Sequence, residues 1–298
     1  MIFGEINSAI TLIGRISGMF TSMLKRRKAK PVTSVSQRFV ELFEAHGVRR
    51  NQIPRVLGHG LSLSDLVDDA SLLPKLTEPV LDAACSLFGV RREWLDEAGE
   101  EAYIRHAFYE YPGDFQRFIE ELKAPRPGAE LTGYLVVPEE VAPHGQAILI
   151  LAETIVSLGN ATVYRYHLCD TWTYDYWKSR AYLTACVAIA WKNDVYVAGR
   201  YADRRDLSIL AGSGNLPGPV LDRLASDGRR WYAEDLALCP DLYLQGVDPE
   251  TDRFGVISAL RLWLDLDDEG WMDTGIQKTV RPAFEAELAS SLAIEHPR

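Results

Sequence analysis

The stretch Thr77–Gly99, TEPVLDAACSLFGVRREWLDEAG, decides how the first third of the chain is read. Thr77 can cap a helix. Pro79 is tolerated in a first turn, where its missing N–H would have no helical partner. Val80, Leu81, Ala84, Leu87 and Phe88 recur at helical spacing on one face, and Gly89 supplies the stop. The run VRREWLDEAG then closes the unit. Upstream, Ser34 or Ser36 can cap a helix with an apolar face of Phe39, Leu42 and Phe43, ending at Gly47. RRNQIPRVLG reads as a short second helix ending at Gly58, and LSLSDLVDDASLL as a third. Residues 34–100 are therefore expected to form one helical domain.

Two landmarks give this stretch a family likeness. Gly47-Val48 and Leu57-Gly58 bracket the second helix, and Cys85, Phe88-Gly89-Val90 and Trp94-Leu95 form the closing pattern. In these features the segment resembles the five-helix helix-turn-helix domain of Xre/Cro-type phage and bacterial repressors. The resemblance covers about 65 of the 298 residues. It implies a transcriptional regulator whose third helix enters the major groove and whose second helix begins against the phosphate backbone.

The departures fall where DNA would be read. The third helix would carry Asp65, Asp68 and Asp69 and no Arg, Lys, Gln or Asn in SLSDLVDDAS. Carboxylates facing a phosphate-lined groove are repelled and can accept hydrogen bonds only from cytosine amino groups. From Ser36 to Ala98 there are seven basic and ten acidic residues, the wrong balance for a free-standing DNA reader. Pro54 should also kink the second helix. The candidate DNA contacts are Arg49, Arg50, Asn51, Gln52 and Arg55, which would anchor phosphate while readout is weak or delegated. The other reading is an ordinary solvated face on a helical domain used for protein contact, dimerisation for example.

Residues 1–31 form a separate segment. Ile2, Phe3, Ile6, Ile10, Ile13, Ile16, Phe20, Met23 and Leu24 lie at near-helical spacing, followed by the basic cluster Lys25, Arg26, Arg27, Lys28 and Lys30. Glu5 and Arg15 spoil a transmembrane span, and the charge order is wrong for a signal peptide. An amphipathic helix is expected. It would pack on the protein or a second copy, lie on a membrane surface, or lend its basic end to DNA phosphates. Residues 101–128 read as a connector, helical twice, with His106 and Glu110 paired on one helix face. The APRPG run at 124–128 is the best candidate boundary in the chain.

Residues 130–298 mix strand and helix patterns, which predicts an α+β or α/β domain for ligand sensing or dimerisation. QAILILAETIVSL is apolar throughout and fits a strand or a buried helix; LSILAG and DLYLQGV read as strands. The run HLCDTWTYDYWKSRAY holds Asp170, Trp172, Tyr174, Asp175, Tyr176 and Trp177. Aromatics two apart could wall a small-molecule or cationic pocket with carboxylates fixing orientation, or they could be core packing. SILAGSGNLPGPVLDRL resembles a phosphate loop in outline. It lacks the Walker Lys-Ser/Thr and the full G-x-G-x-x-G, and Pro217 and Pro219 remove backbone donors, so a turn is expected.

The bulk properties bound the function. Hydrophobic residues are 47% and charged residues 25%, an ordinary globular composition. The net charge of −10 repels phosphate overall, so any nucleic-acid contact must be local. Four scattered cysteines without a C-x-x-C pair suit a reducing cytoplasm. No cofactor, metal-ligand spacing, hydrolase elbow, metalloprotease motif or kinase set is present. Three classes are expected in this order: an Xre-like regulator, cytoplasmic and self-associating; an adaptor without DNA binding, possible at the inner membrane surface; and an enzyme centred on Asp170 and Asp175.

Overall fold

The computed structural model describes residues 33–125, 130–140, 143–159, 161–227, 229–276 and 279–295. The basic residues Lys25, Arg26, Arg27, Lys28 and Lys30, with the rest of the amphipathic segment 1–31, lie outside the described residues. An N-terminal helical region is followed by a mixed sheet with helices on both faces, an α+β arrangement. Among the described residues, no helix is long and apolar enough to cross a membrane.

The helical region opens with α1 (Thr33–Ala45), which buries Phe39, Leu42 and Phe43 as its spacing requires. A 3-10 turn (Arg50–Gln52) leads into the short α2 (Ile53–Leu57). Pro54 stands in the first turn of α2, where the lost donor costs nothing, so it shapes the entry instead of kinking a helix. The third segment is broken into a 3-10 turn (Leu63–Leu66), α3 (Asp69–Leu72) and a second 3-10 turn (Leu73–Lys75). Val80, Leu81, Ala84 and Phe88 of α4 (Glu78–Phe88) are buried, and Gly89 ends it at φ +70°, the left-handed cap that a Cβ would strain. α5 (Arg92–Leu95) buries Trp94 and Leu95.

The connector is helical once. Glu101–Glu110 makes two bridges instead, Val90 to Tyr103 and Arg105 to Leu168, and His106 N–H donates to the Leu168 carbonyl at 2.9 Å. His106 and Glu110 therefore share no helix face. The His106 ring lies 4.3 Å from that of Phe118, while Glu110 pairs with Lys178. Among the described residues of the connector, only α6 (Pro112–Lys123) is helical.

β1 (Leu131–Pro138), β2 (Gln146–Leu158) and β3 (Ala161–Thr173) form an antiparallel meander. α7 (Trp177–Lys192) carries the chain across to β4 (Tyr196–Ala202), which pairs parallel with β1. α8 (Arg204–Ala211) and α9 (Gly218–Asp227) precede the short β5 (Arg230–Tyr232), antiparallel to β4, giving the order β3-β2-β1-β4-β5. The chain ends with α10 (Asp235–Leu238), α11 (Pro240–Leu244), α12 (Phe254–Asp268) and α13 (Arg281–Glu295).

β2 shows why its sequence lacks alternation. Ile148, Ile150 and Ala152 enter one core, while Ala147, Leu149 and Leu151 enter another on the opposite face. A strand buried on both faces has no polar side to display. The first core joins the sheet to α1, α4, α8 and α9, so helical region and sheet are one packed body. The second core lies between the sheet, α6 and α7, and the third between α7, α12 and α13.

Two segments that read as strands are helices. LSILAG lies within α8, because Asp203 caps the helix by accepting from the Asp206 N–H at 2.8 Å, and Leu207 and Leu210 face the core three apart. DLYLQGV contributes to α11, which Pro240 starts and which buries Tyr243. The capping Asp203 before α8 and Pro240 in the first turn of α11 mark helices where the apolar run by itself resembles a strand.

Candidate functional site

The 49–75 segment presents the helical region's candidate contact residues. Arg49, Asn51 and Arg55 are exposed, and Gln52 is half-buried, its side-chain oxygen accepting from the Arg49 N–H at 2.9 Å. Arg50 is committed elsewhere. Its Nε donates to the Leu66 carbonyl and its guanidinium to Asp69 Oδ1, each at 2.7 Å. The acidic residues of the third segment have local duties. Asp65 forms a reciprocal cap with Ser62 and lies 3.6 Å from the Lys75 ammonium. Asp68 caps α3 by accepting from the Ser71 N–H at 2.7 Å. Hydrogen bonds from Ser62 and from Ser71 hold the Asp65 and Asp68 carboxyls below the usual carboxylate range.

Two of the residues that the third segment turns outward are apolar, beside the exposed Ser62, Ser64 and Asp68. Leu63 is 65% exposed and Val67 74% exposed, while Leu66 is buried. A 3-10 turn (Leu63–Leu66) and then the capped α3 stand here in place of one continuous helix. Reading LSLSDLVDDASLL as one helix therefore misses the exposure of Leu63 and Val67; Asp68, which caps α3, is the sequence signal for the break.

The aromatic stretch of the second region packs largely inward. Asp170 is the unpaired residue of a β-bulge in β3, since Ile148 pairs with Thr171 and Leu149 with Cys169. Trp172 and Tyr174 are buried, and the Trp172 indole donates to the Cys169 carbonyl at 3.1 Å. Asp175 is buried; one carboxylate oxygen accepts from the His144 N–H at 2.8 Å, and the other has no hydrogen-bond partner. Tyr176 and Trp177 lie nearer the surface, beside the exposed Phe254. The structure thus brings Tyr176, Trp177 and Phe254 together and places Trp172 and Tyr174 in the core.

Arg180 organises this region. It is fully buried, donates to the carbonyls of Tyr174, Tyr243 and Gln245, and lies 3.6 Å over the Tyr174 ring. Burial lowers its affinity for a proton, but its neighbours supply the acceptors that keep a buried guanidinium tolerable.

The glycine-rich run 212–218 has a packing role. The Trp94 indole donates to the Gly214 carbonyl at 3.1 Å, and the Ala102 N–H to the Ser213 carbonyl at 2.7 Å. A Cβ on Gly218 would lie 1.8 Å from the Ala45 carbonyl oxygen. Gly214 and Gly218 lack a side chain where the backbone of Glu100 and of Ala45 lies against them. Next to it, an open cleft of ≈ 640 Å³ runs between α1 and the α8–α9 pair. Glu41, Glu44, Asp203, Arg205, Asp206 and Arg223 line it, with an apolar floor that includes Ile209 and Val220. Arg223 is paired with Asp206. Among the described residues, no cluster of three or more His, Cys, Asp or Glu side chains could hold a metal ion.

No family model, curated protein or solved structure matches this chain. Its function is therefore argued from these surfaces alone.

Proposed function

We propose that this is a regulatory protein whose helical region makes protein–protein contacts, with a second copy of the chain as its partner. One observation carries the reading. The segment at the groove-reading position of an Xre-like domain uses its carboxylates for capping and for Arg50, and exposes Leu63 and Val67 without a basic side chain between them. Such a surface gains from excluding water against another apolar surface and gains nothing from phosphate. The packing of α4 against β3 also holds the helical region on the sheet, which suits a preformed contact.

Sedimentation velocity of the full chain over a range of concentrations tests this reading. A concentration-dependent dimer that Leu63→Asp and Val67→Asp each shift toward monomer is expected. A monomer at every concentration, or a dimer indifferent to both changes, refutes the proposed contact.

A second reading, an Xre-like DNA-binding regulator, is favoured by the exposed set Arg49, Asn51 and Arg55 on the adjacent turn. In that reading these residues hold phosphate, and the cleft or the aromatic surface of the sheet domain takes the signal.

A further inference from the structure

Arg200 is placed where an unpaired cation should not be. It lies on β4 with Ala198 and Ala202, on the sheet face covered by α8 and α9, and is 7% exposed. Its only hydrogen bond among the described residues runs from Nη1 to the neighbouring Gly199 carbonyl at 2.9 Å, and its buried Nε has no partner. No carboxylate of the described residues forms an ion pair with it. Burying a guanidinium in this state is costly, because the buried Nε leaves water without gaining an acceptor and no carboxylate offsets the charge.

The neighbouring strand increases the cost. Arg230 of β5 is the ladder partner of Arg200, so both side chains rise from the same face at adjacent positions. Arg230 reaches toward the α9 end, where it donates to the Ala225 carbonyl at 3.4 Å. Burial, and then Arg230 beside it, push the Arg200 guanidinium below the usual arginine range, while Tyr134 and Tyr196 oppose the shift. Asp222 of α9 bears on Tyr134, as Arg200 does. It also acts on Tyr166 and forms no ion pair with Arg200, and burial raises its proton affinity. Two like charges directly opposite, one of them buried, are destabilising unless an anion lies between them.

We propose that Arg200 and Arg230 form a binding site for a small tetrahedral oxyanion, a phosphate or phosphate group, entering at the β5 edge. Tyr196 and Tyr232 are 48% and 66% exposed at that edge and leave it open to solvent. The site is independent of the contact surface at Leu63 and Val67, so the two proposals stand or fall separately.

The test uses the full chain, inorganic phosphate as probe, and chloride at matched ionic strength as control. Phosphate should bind saturably, and about tenfold above half-saturation it should raise the wild-type melting temperature by roughly 3–5 °C. Arg200→Met and Arg230→Gln should each weaken phosphate binding by about tenfold or more. In phosphate-free buffer Arg200→Met should melt at the wild-type temperature or higher, since it removes an uncompensated buried charge. Equal phosphate effects in wild type and both variants would mean an adventitious ion only and would overturn the proposal. If Arg200→Met does not fold, Arg230→Gln decides alone: retained phosphate binding overturns the site, and a tenfold loss sustains it.

Discussion

His46 shows how much a single side chain at the end of α1 contributes. Its Nδ1–H donates to the Leu42 carbonyl at 2.7 Å, and its Nε2 lies 3.0 Å from the Tyr103 hydroxyl, which then donates. The ring stacks 4.1 Å from Phe88 and 5.4 Å from Tyr166, so it joins α1, α4, the connector and β3. Burial lowers its pKa from 6.5 to about 4, only partly opposed by the Leu42 hydrogen bond. The folded state therefore holds fewer protons than the unfolded state in that window. Stability on this account is complete above about pH 6.5 and falls as the pH drops toward 4, by about 3 kcal/mol in all. Urea midpoints measured from pH 7 to pH 4 should show this slope, and His46→Leu should flatten it. An unchanged slope in the variant would assign the acid sensitivity to other groups. At the same scale, Gly218→Ala drives a methyl group into the Ala45 carbonyl and should cost about 1–3 kcal/mol, read from the same urea curves.

Among the elements, α4 and β3 carry the junction between the two halves. Arg165 on β3 donates from Nε to the Leu87 carbonyl at 2.9 Å and from Nη2 to the Ser86 carbonyl at 2.6 Å, capping the C-terminus of α4. A cation at that end also complements the helix dipole. Arg165→Ala should lower stability by about 1.5–3 kcal/mol. It should also speed hydrogen exchange selectively at Gly89 and Val90, the first amides beyond the capped turn. Uniform acceleration across the chain would argue against this local role. The helices α1 and α4 were legible in sequence because their apolar residues recur at helical spacing before a glycine stop. Short elements were not. α8 and α11 resemble strands once Asp203 and Pro240 are left out, and the 63–75 segment resembles a helix although its acids are used for caps. Of the candidate site, Arg49, Asn51 and Arg55 are exposed as a solvated basic edge should be. The commitment of Arg50 to Asp69, and the isolation of Arg200 beside Arg230, depend on pairings that only the folded chain sets up.

For the whole molecule, the packing removes the independence that the proline-rich run at 124–128 implies. Phe39, Phe43, Phe88 and Trp94 from before it share one core with Val136, Ile150 and Tyr166 from after it. Residues 33–125 expressed alone would expose much of that core to water and are expected to be aggregated or unfolded by circular dichroism and NMR. A cooperatively melting fragment would show two separable domains. The same packing commits the α4–α5 side of the helical region to the sheet and leaves the 49–75 segment as its outward surface. We propose that this surface meets protein and does not read DNA. The most direct test is a titration of the full chain against its own upstream DNA and against random duplex, at two salt concentrations. Neither upstream preference nor tight binding is expected, even at low salt. Tight, upstream-selective binding that weakens with salt and is lost in Arg49→Glu/Arg55→Glu would contradict the proposal and establish the DNA-binding regulator instead.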